Sequence, residues 1–190
     1  MNLVGKAAVI TGGASGLGLA TAKNFIENGA QVLIADYSDA GQAIADELGC
    51  EFIKTDVTKE EDIIAMVDRA VEKFGKIDIT VASAGIGGDQ HGIVNSSLQN
   101  WERVNAVDYT GVFLTNKYTI TQMLKQGNGG SVINLASMFG LVAVPDNISY
   151  SASKGGVVNL TRAAGTEYAE QGIRVNAVCP GVIDTPLIPE

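Results

Sequence analysis

Short apolar runs alternate along the chain with longer segments whose apolar residues recur at helical spacing. The run Ala7–Thr11 predicts a buried strand, and Gly16–Asn28 predicts a helix because Leu17 and Phe25 fall on one face. Strands are predicted at Ala7–Thr11, Val32–Ala35, Glu51–Lys54, Ile79–Ala82, Ser131–Ala136 and Arg174–Val178. Helices are predicted at Gly16–Asn28, from a cap at Ser38 or Asp39 to Gly49, at Thr58–Phe74 with Thr58 as its cap, and at Ser97–Lys125 and Tyr150–Gln171.

The regular alternation of strands and helices predicts the topology. It implies parallel strands joined by right-handed crossovers. We therefore predict an α/β fold, a doubly wound parallel sheet (Rossmann fold) of strand order 3-2-1-4-5-6. No linker, repeat or low-complexity segment divides residues 1–190, so a single domain is expected. Ligands of such sheets bind beyond the carboxyl ends of the strands, where the strand order reverses.

Composition narrows the classes of partner. The 190 residues include 13 basic and 21 acidic side chains and no basic block, so no nucleic-acid partner is expected. No apolar stretch is long enough to span a bilayer, and the first residues lack the pattern of a signal peptide. A cytoplasmic protein without membrane contact is expected. Cys50, Cys179 and the single His91 have no metal-ligand spacing, so no metal is predicted.

A glycine-rich turn follows the first predicted strand. Its sequence, TGGASGLG at 11–18, spaces the glycines as G-x-x-x-G-x-G, unlike G-x-G-x-x-G, and lacks the Gly-Lys-Ser/Thr ending of a phosphate loop. A strand precedes it and a helix follows. Without side chains in the way, a pyrophosphate can approach the amides at the helix start. Nucleotide binding is therefore predicted for Gly12, Ser15, Gly16, Leu17 and Gly18.

An acid ends the second predicted strand. Asp36 can accept hydrogen bonds from the ribose hydroxyls of adenosine, and its carboxylate would repel the 2′-phosphate of NADP. Tyr37 is also predicted to contact the cofactor, and neither it nor the neighbouring Ser15 carries a compensating cation. These observations predict NAD rather than NADP as the cofactor. Asp56 and Val57, after the third strand, are predicted to contact adenine, although an ordinary loop acid remains an alternative for Asp56.

Three further side chains indicate a type of reaction. Tyr150 and Lys154 lie four residues apart on a predicted helix, and therefore on one face. A phenol titrates near about pH 10, and an adjacent ammonium lowers that pKa toward the range of a general acid or base. Ser137 follows an apolar run and can donate a hydrogen bond to a substrate oxygen. It is not expected to be a hydrolase nucleophile, because no G-x-S-x-G elbow surrounds it.

Together these motifs resemble the short-chain dehydrogenase/reductase family over essentially the whole chain. The matching residues are Gly12, Gly16, Gly18, Asp36, Asp56, Ala84-Gly85, Asn105, Ser137, Tyr150, Lys154 and Pro180-Gly181. The resemblance implies that Tyr150 exchanges a proton with the substrate oxygen. It further implies that Lys154 lowers the pKa of that tyrosine and holds the nicotinamide ribose, that Ser137 orients the substrate, and that Asn105 supports a water relay. Cofactor contacts are implied for Ala84, Gly85, Pro180, Gly181, Ile183 and Thr185.

Two features depart from the family pattern. The segment after the fourth strand reads Ala82-Ser83-Ala84-Gly85, where the family commonly has Asn-Asn-Ala-Gly. Family members also usually continue beyond the position of Glu190 into a substrate-covering lid and a seventh strand. The lid and that strand are therefore expected to be absent here.

The predicted function is reversible hydride transfer between NAD and a small-molecule secondary alcohol or ketone. Two alternatives stay open. One is a cofactor-binding scaffold or inactive truncated form, and the other, less favoured, is a nucleotide-sugar epimerase or dehydratase. A homodimer or homotetramer is also predicted, because the two longest helices carry apolar residues on more than one face. Those residues include Val112, Phe113, Val157 and Val158.

Overall fold

The computed structural model describes residues 2–142 and 144–187. The predicted domain bounds, 1 and 190, lie outside the described residues. The strands are β1 Ala7–Thr11, β2 Gln31–Asp36, β3 Glu51–Lys54, β4 Ile79–Ala82, β5 Gly130–Leu135 and β6 Ile173–Val178. The α-helices are α1 Gly16–Glu27, α2 Gly41–Leu48, α3 Glu60–Phe74, α4 Leu98–Asn105, α5 Gly111–Gln126 and α6 Ile148–Glu167.

The six strands form one parallel sheet in the order β3-β2-β1-β4-β5-β6, which confirms the predicted topology. The strand order reverses between β1 and β4. In the register, Thr11 at the end of β1 is flanked by Ala35 of β2 and Ala82 of β4. The segments that follow these strands therefore emerge side by side at one edge of the sheet.

Alternate residues of the strands feed the two faces of the sheet. Val9 and Leu33 pack on one face with residues of α3 and α5. Ala8 and Ile10 pack on the other face with residues of α1 and α2. Because both faces are covered, β1 and β4 are buried along their whole length and do not alternate between buried and exposed residues.

A buried polar network joins three elements below the end of β5. Asn134 of β5 and Asn116 of α5 exchange side-chain hydrogen bonds of 2.7 and 3.2 Å, and Asn134 also donates to Thr161 of α6 at 3.0 Å. All three side chains are buried, so their polar atoms need these partners. The network fixes the strand that leads to Ser137.

The predicted helix at Ser97–Lys125 is interrupted in the structure. A π-helical turn, Ala106–Thr110, separates α4 from α5. Such turns add a residue to one turn of the helix and are frequent at functional sites. Asp108 lies within this turn and is fully buried, on the same face as Val104 and Val112.

Two predicted helix caps are wrong. The Thr58 hydroxyl donates to Asp56 at 2.7 Å, and α3 begins only at Glu60. Ser38 accepts a hydrogen bond from the Ala40 N–H at 3.3 Å in a turn before α2. Both side chains satisfy local turns, which compete with capping. Across the described part of the chain, no helix combines the length and apolar character needed to cross a bilayer.

Candidate active site

A cavity of about 1110 Å³ opens at the carboxyl ends of the strands. It extends from the glycine-rich turn and the end of β2 to the segments after β4, β5 and β6. Of the predicted cofactor residues, the cavity is lined by Gly12, Ser15, Gly16, Leu17, Asp36, Tyr37, Asp56, Val57, Ala84, Gly85, Tyr150, Lys154, Pro180, Gly181, Ile183 and Thr185. Ser137 lines it too. The topology thus brings together residues that are up to 173 positions apart in the sequence, from Gly12 to Thr185.

The glycine-rich turn is built for close approach. Gly12 has a φ of +65°, and a Cβ there would lie 2.8 Å from the Ala84 backbone. A Cβ at Gly18 would collide with the Gly12 carbonyl oxygen. Gly18 is buried and does not line the cavity, so it allows α1 to pack against the turn rather than contacting a ligand itself.

The start of α1 faces this cavity through Ser15, Gly16 and Leu17. Ser15 is the N-cap residue, and its side chain accepts no hydrogen bond from the first turn within the described residues. The amides of that turn are therefore free of a side-chain cap. Amides at a helix N-terminus favour anions. These residues consequently fit the pyrophosphate of a dinucleotide.

The Asp36 carboxylate is held at the end of β2 by two backbone amides. It accepts hydrogen bonds from Ala14 N–H at 3.0 Å and Ser38 N–H at 2.9 Å. The cation beside it in the sheet, Lys54, pairs instead with Asp39 at 2.5 Å. Tyr37 is exposed, and the Lys54 ammonium lies 5.9 Å from its ring centroid.

Asp56 and Val57 form the far wall, after β3. Asp56 accepts hydrogen bonds from the backbone N–H and the hydroxyl of Thr58, at 3.0 and 2.7 Å. Its own N–H donates to Asp62 at 2.8 Å. Val57 is buried beside Gly111, where a Cβ would lie 2.7 Å from the valine. The loop is therefore rigidly placed against α5.

Ser137 lies two residues beyond the end of β5 and is buried. Its hydroxyl oxygen accepts a hydrogen bond from Phe139 N–H at 3.2 Å, which starts a 3₁₀ turn over Met138–Gly140. That turn packs closely on α6, since a Cβ at Gly140 would lie 2.6 Å from the Lys154 carbonyl oxygen. The serine is thereby fixed relative to the helix that carries Tyr150.

Tyr150 and Lys154 lie on one face of α6, as their spacing predicts. The Lys154 ammonium lies 5.5 Å from the centroid of the Tyr150 ring. Its Nζ donates a hydrogen bond of 3.0 Å to the Leu135 carbonyl oxygen at the end of β5. The edge-on ring of Phe139 lies 6.3 Å from Tyr150, centroid to centroid. At the cavity wall, Lys154 is buried and Tyr150 is half-buried.

Asn105 does not reach the cavity, contrary to its predicted catalytic role. Its side-chain amide donates to the Trp101 carbonyl oxygen, one turn earlier, at 2.8 Å. A different polar side chain, within the π-helical turn that begins at the next residue, faces inward instead. The position of Asn105 therefore does not support its predicted catalytic role.

That side chain is Asp108, which sequence reasoning missed. It is fully buried, with one carboxylate oxygen 3.2 Å from Lys154 Nζ and the other accepting from Ile86 N–H at 2.8 Å. Burial raises the pKa of the Asp108 carboxyl, and the charge of Lys154 and the Ile86 hydrogen bond offset part of that rise. An acid among the apolar residues of a helix was the available signal.

The segment after β6 closes the cavity. The Pro180 carbonyl oxygen accepts a hydrogen bond from Met138 N–H at 2.9 Å, which ties this segment to the turn after Ser137. A Cβ at Gly16 would lie 3.5 Å from the Thr185 side chain. The segment 180–187 therefore spans from the serine to the glycine-rich turn.

Comparisons with known proteins agree with this geometry. The family model for short chain dehydrogenase matches residues 6–190. The chain is 42% identical over 188 residues to cis-4-hydroxycyclohexanecarboxylate dehydrogenase of Sinomonas cyclohexanicum, covering 96% of this chain and 75% of that protein. It is 39% identical over 191 residues to cyclohexanol dehydrogenase of Acinetobacter sp. (strain SE19), covering 97% of this chain and 76% of that protein.

The fold also matches solved structures. The crystal structure of 3-ketoacyl-(acyl-carrier-protein) reductase from Brucella melitensis complexed with NADH superposes with a TM-score of 0.95 at 36% identity. The match covers 98% of this chain and 79% of the reductase. Because the family model matches nearly the whole chain, the chain belongs to the short-chain dehydrogenase/reductase family of oxidoreductases.

Proposed function

We propose that the protein is an NAD-dependent oxidoreductase that interconverts a cyclic secondary alcohol and its ketone, with Tyr150 as the general acid and base. The observation that carries this proposal is the joint position of Ser137, Tyr150 and Lys154. All three line one cavity together with the glycine-rich turn. A proton-transfer group, a hydrogen-bond donor and a dinucleotide cradle in one cavity suit alcohol oxidation better than a binding-only role.

The residues divide the work of oxidation between them. The Tyr150 phenolate accepts the proton of the substrate hydroxyl, and the Lys154 ammonium beside its ring favours the phenolate. The Ser137 hydroxyl donates a hydrogen bond to the same substrate oxygen. When bound, the nicotinamide cofactor supplies the hydride acceptor or donor. In the reducing direction Tyr150 returns the proton to the oxygen.

The preference for NAD is supported by the end of β2. The Asp36 carboxylate lines the cavity and would repel a 2′-phosphate there. The neighbouring cation that could neutralise such a phosphate, Lys54, is engaged by Asp39. Ribose hydroxyls, in contrast, can donate hydrogen bonds to Asp36.

The substrate class is supported by relatives and by the cavity wall. Two of the similar proteins are named as dehydrogenases of cyclohexane-ring alcohols. The wall beyond Ser137 and Tyr150 mixes apolar and polar side chains: Ile86, Met138, Phe139, Val182 and Leu187 with Gln90, Arg103 and Asn147. An apolar ring with one hydroxyl fits this mixture.

We also propose that two copies pair through the face formed by α4, the π-helical turn and α5. Trp101, Tyr109 and Phe113 are 40%, 38% and 46% exposed along this face. Such a row of exposed large apolar side chains is typical of an interaction surface. The other apolar residues from which pairing was predicted, Val112, Val157 and Val158, are buried within the chain.

The test is NADH formation with a panel of cyclic secondary, linear secondary and primary alcohols. Wild type is compared with Tyr150→Phe and with Tyr118→Phe, a control tyrosine that bonds to Glu60 on the surface. We expect turnover of cyclic secondary alcohols that Tyr150→Phe lowers by at least about 10³-fold and Tyr118→Phe leaves unchanged. Equal turnover by Tyr150→Phe, or no turnover of any alcohol by wild type, would contradict the proposal.

A further inference from the structure

A buried negative charge lies in the wall of the candidate active site, against the lysine. Asp108 is 0% exposed, and its Oδ2 lies 3.2 Å from the Lys154 ammonium, itself only 4% exposed. The other oxygen, Oδ1, accepts the Ile86 N–H, so the carboxylate is fixed to the segment after β4. Within the described residues, Oδ2 lacks a partner that meets hydrogen-bond geometry. Its contact with Lys154 is therefore mainly one of charge.

This pair directly borders the cavity. A Cβ added to Gly85, which lines the cavity, would lie 3.3 Å from Asp108 Oδ2 and 3.4 Å from Lys154 Nζ. The charged groups that act on Asp108 come from two elements, Lys154 on α6 and Arg103 on α4. Of these, Lys154 is in contact, while Arg103 also pairs with Asp89 at 3.8 Å.

Close packing of the interior does not require a buried charge pair such as Asp108 and Lys154. Taking two charges out of water costs several kcal/mol per ion before their attraction offsets it, and well-packed apolar residues often serve as well. Burial raises the pKa of the Asp108 carboxyl, as that cost requires. A buried pair placed within reach of a reacting phenol has a direct electrostatic consequence for that phenol.

We propose that Asp108 is a positioning residue that holds the Lys154 ammonium and sets the pH at which Tyr150 gives up its proton. This inference rests on the proposed role of Tyr150. The carboxylate offsets part of the positive charge of Lys154, so the phenolate is favoured less than it would be beside an unpaired ammonium. Alcohol oxidation therefore requires a higher pH than it would with a neutral side chain at position 108.

The experiment measures the ionisation of Tyr150 directly, without turnover. Phenolate absorbance is titrated in wild type and in Asp108→Asn, and the matching titration in a Tyr150→Phe background is subtracted to isolate Tyr150. We expect the midpoint to fall by about one pH unit in Asp108→Asn. The pH profile of kcat for alcohol oxidation is expected to move in the same direction. Asp89→Asn, which removes an exposed charge on the same rim, is expected to move the midpoint by less than about 0.3.

A second variant guards against effects of packing. Asp108→Ser removes the same charge with a smaller side chain, so its shift must have the same sign as that of Asp108→Asn. An unchanged midpoint in either folded variant overturns the inference, and so does an equal shift in Asp89→Asn. If Tyr150 titrates as expected but wild type oxidises no alcohol, the proposed function fails while the link between Asp108 and Tyr150 stands.

Discussion

The Asp36 carboxylate accepts a hydrogen bond of 3.0 Å from the backbone N–H of Ala14, and so joins the end of β2 to the glycine-rich turn. The bond connects the two parts of the cavity that are expected to hold the ribose and the pyrophosphate of the cofactor. A change at Asp36 therefore affects both the charge beside the ribose and the shape of the turn.

Two variants separate these effects in cofactor choice. Asp36→Asn keeps an oxygen acceptor for the Ala14 N–H, loses the one for the exposed Ser38 N–H and removes the charge, so we expect about 10-fold less discrimination against NADP with the turn still joined to β2. Asp36→Ala removes both and is expected to weaken NAD as well. Fluorescence titration with NADH and NADPH measures both affinities.

Asp46→Asn is the matched control for cofactor choice, because it removes an exposed acid of α2 that is bonded to Gln42 and leaves Lys54 paired with Asp39. It leaves Asp36 in place, so NAD is expected to remain preferred. A wild type that binds NADPH more tightly than NADH would show that Asp36 does not select the cofactor.

The packing of the turn predicts a loss of stability at Gly18. Gly18→Ala places a Cβ against the Gly12 carbonyl oxygen, a backbone atom that cannot move away without opening the turn. We expect the free energy of unfolding to fall by about 2 kcal/mol, with weaker NADH binding. Urea denaturation measures the first effect and fluorescence titration the second.

Gly87→Ala is the control for the Gly18 substitution. Gly87 lines the cavity, and the nearest atom to a Cβ added there is the Leu187 carbonyl oxygen, at 3.9 Å. Its stability is expected to match wild type within about 0.5 kcal/mol. If both variants lose equal stability, close packing at Gly18 is not the cause.

Asp78 immediately precedes β4, at the end of the strands opposite the cavity. Its interactions predict that the stability of the fold depends on pH. Burial acts to raise the pKa of its carboxyl, but Lys76 at 2.8 Å, the Ala7 N–H at 2.9 Å and Lys6 at 3.7 Å together lower it below 3.8. A carboxyl with a lowered folded-state pKa stabilises the fold above its unfolded value. That contribution is lost as the pH falls from about 3.8 through the folded-state pKa.

Asp78→Asn is therefore expected to be less stable than wild type by about 1 kcal/mol at neutral pH, since the two lysines are partly exposed. The difference is expected to shrink below about pH 4. Urea denaturation at several pH values measures it. A difference that grew on acidification would have the wrong sign for a lowered pKa.

The exposed apolar face predicts the state of assembly. Phe113→Glu places a charge on that face, so we expect wild type to be at least dimeric and the variant to shift toward monomers. Light scattering after size-exclusion chromatography measures the mass. Ile64→Glu on α3, a similarly exposed position, is the control and is expected to keep the wild-type mass. A monomeric wild type would contradict pairing through this face.

Local sequence patterns determined much of the fold. Apolar runs and glycine punctuation determined the six strands and their order, since a buried parallel strand needs a continuous apolar run and a crossover helix. Helix starts were less predictable. Ser38 and Thr58 are good caps by residue type, yet both bond within turns. The hydroxyl group can form its hydrogen bond either within a turn or as a helix cap, and the path of the backbone decides which of the two forms.

The residues of the candidate site also fall into two groups, those that the sequence predicted and one that only the structure revealed. Tyr150 and Lys154 share a face because four residues make about one helical turn, and Asp36 ends a strand beside the glycine-rich turn because the strand order requires it. The sequence by itself therefore determined the topology and these residues. Only the tertiary structure showed that Asp108 rather than Asn105 contacts Lys154: Asp108 is buried on the same face as Val104 and Val112, whereas Asn105 bonds back to Trp101. Residue types along the helix did not reveal that contact, because it depends on how this segment packs against α6.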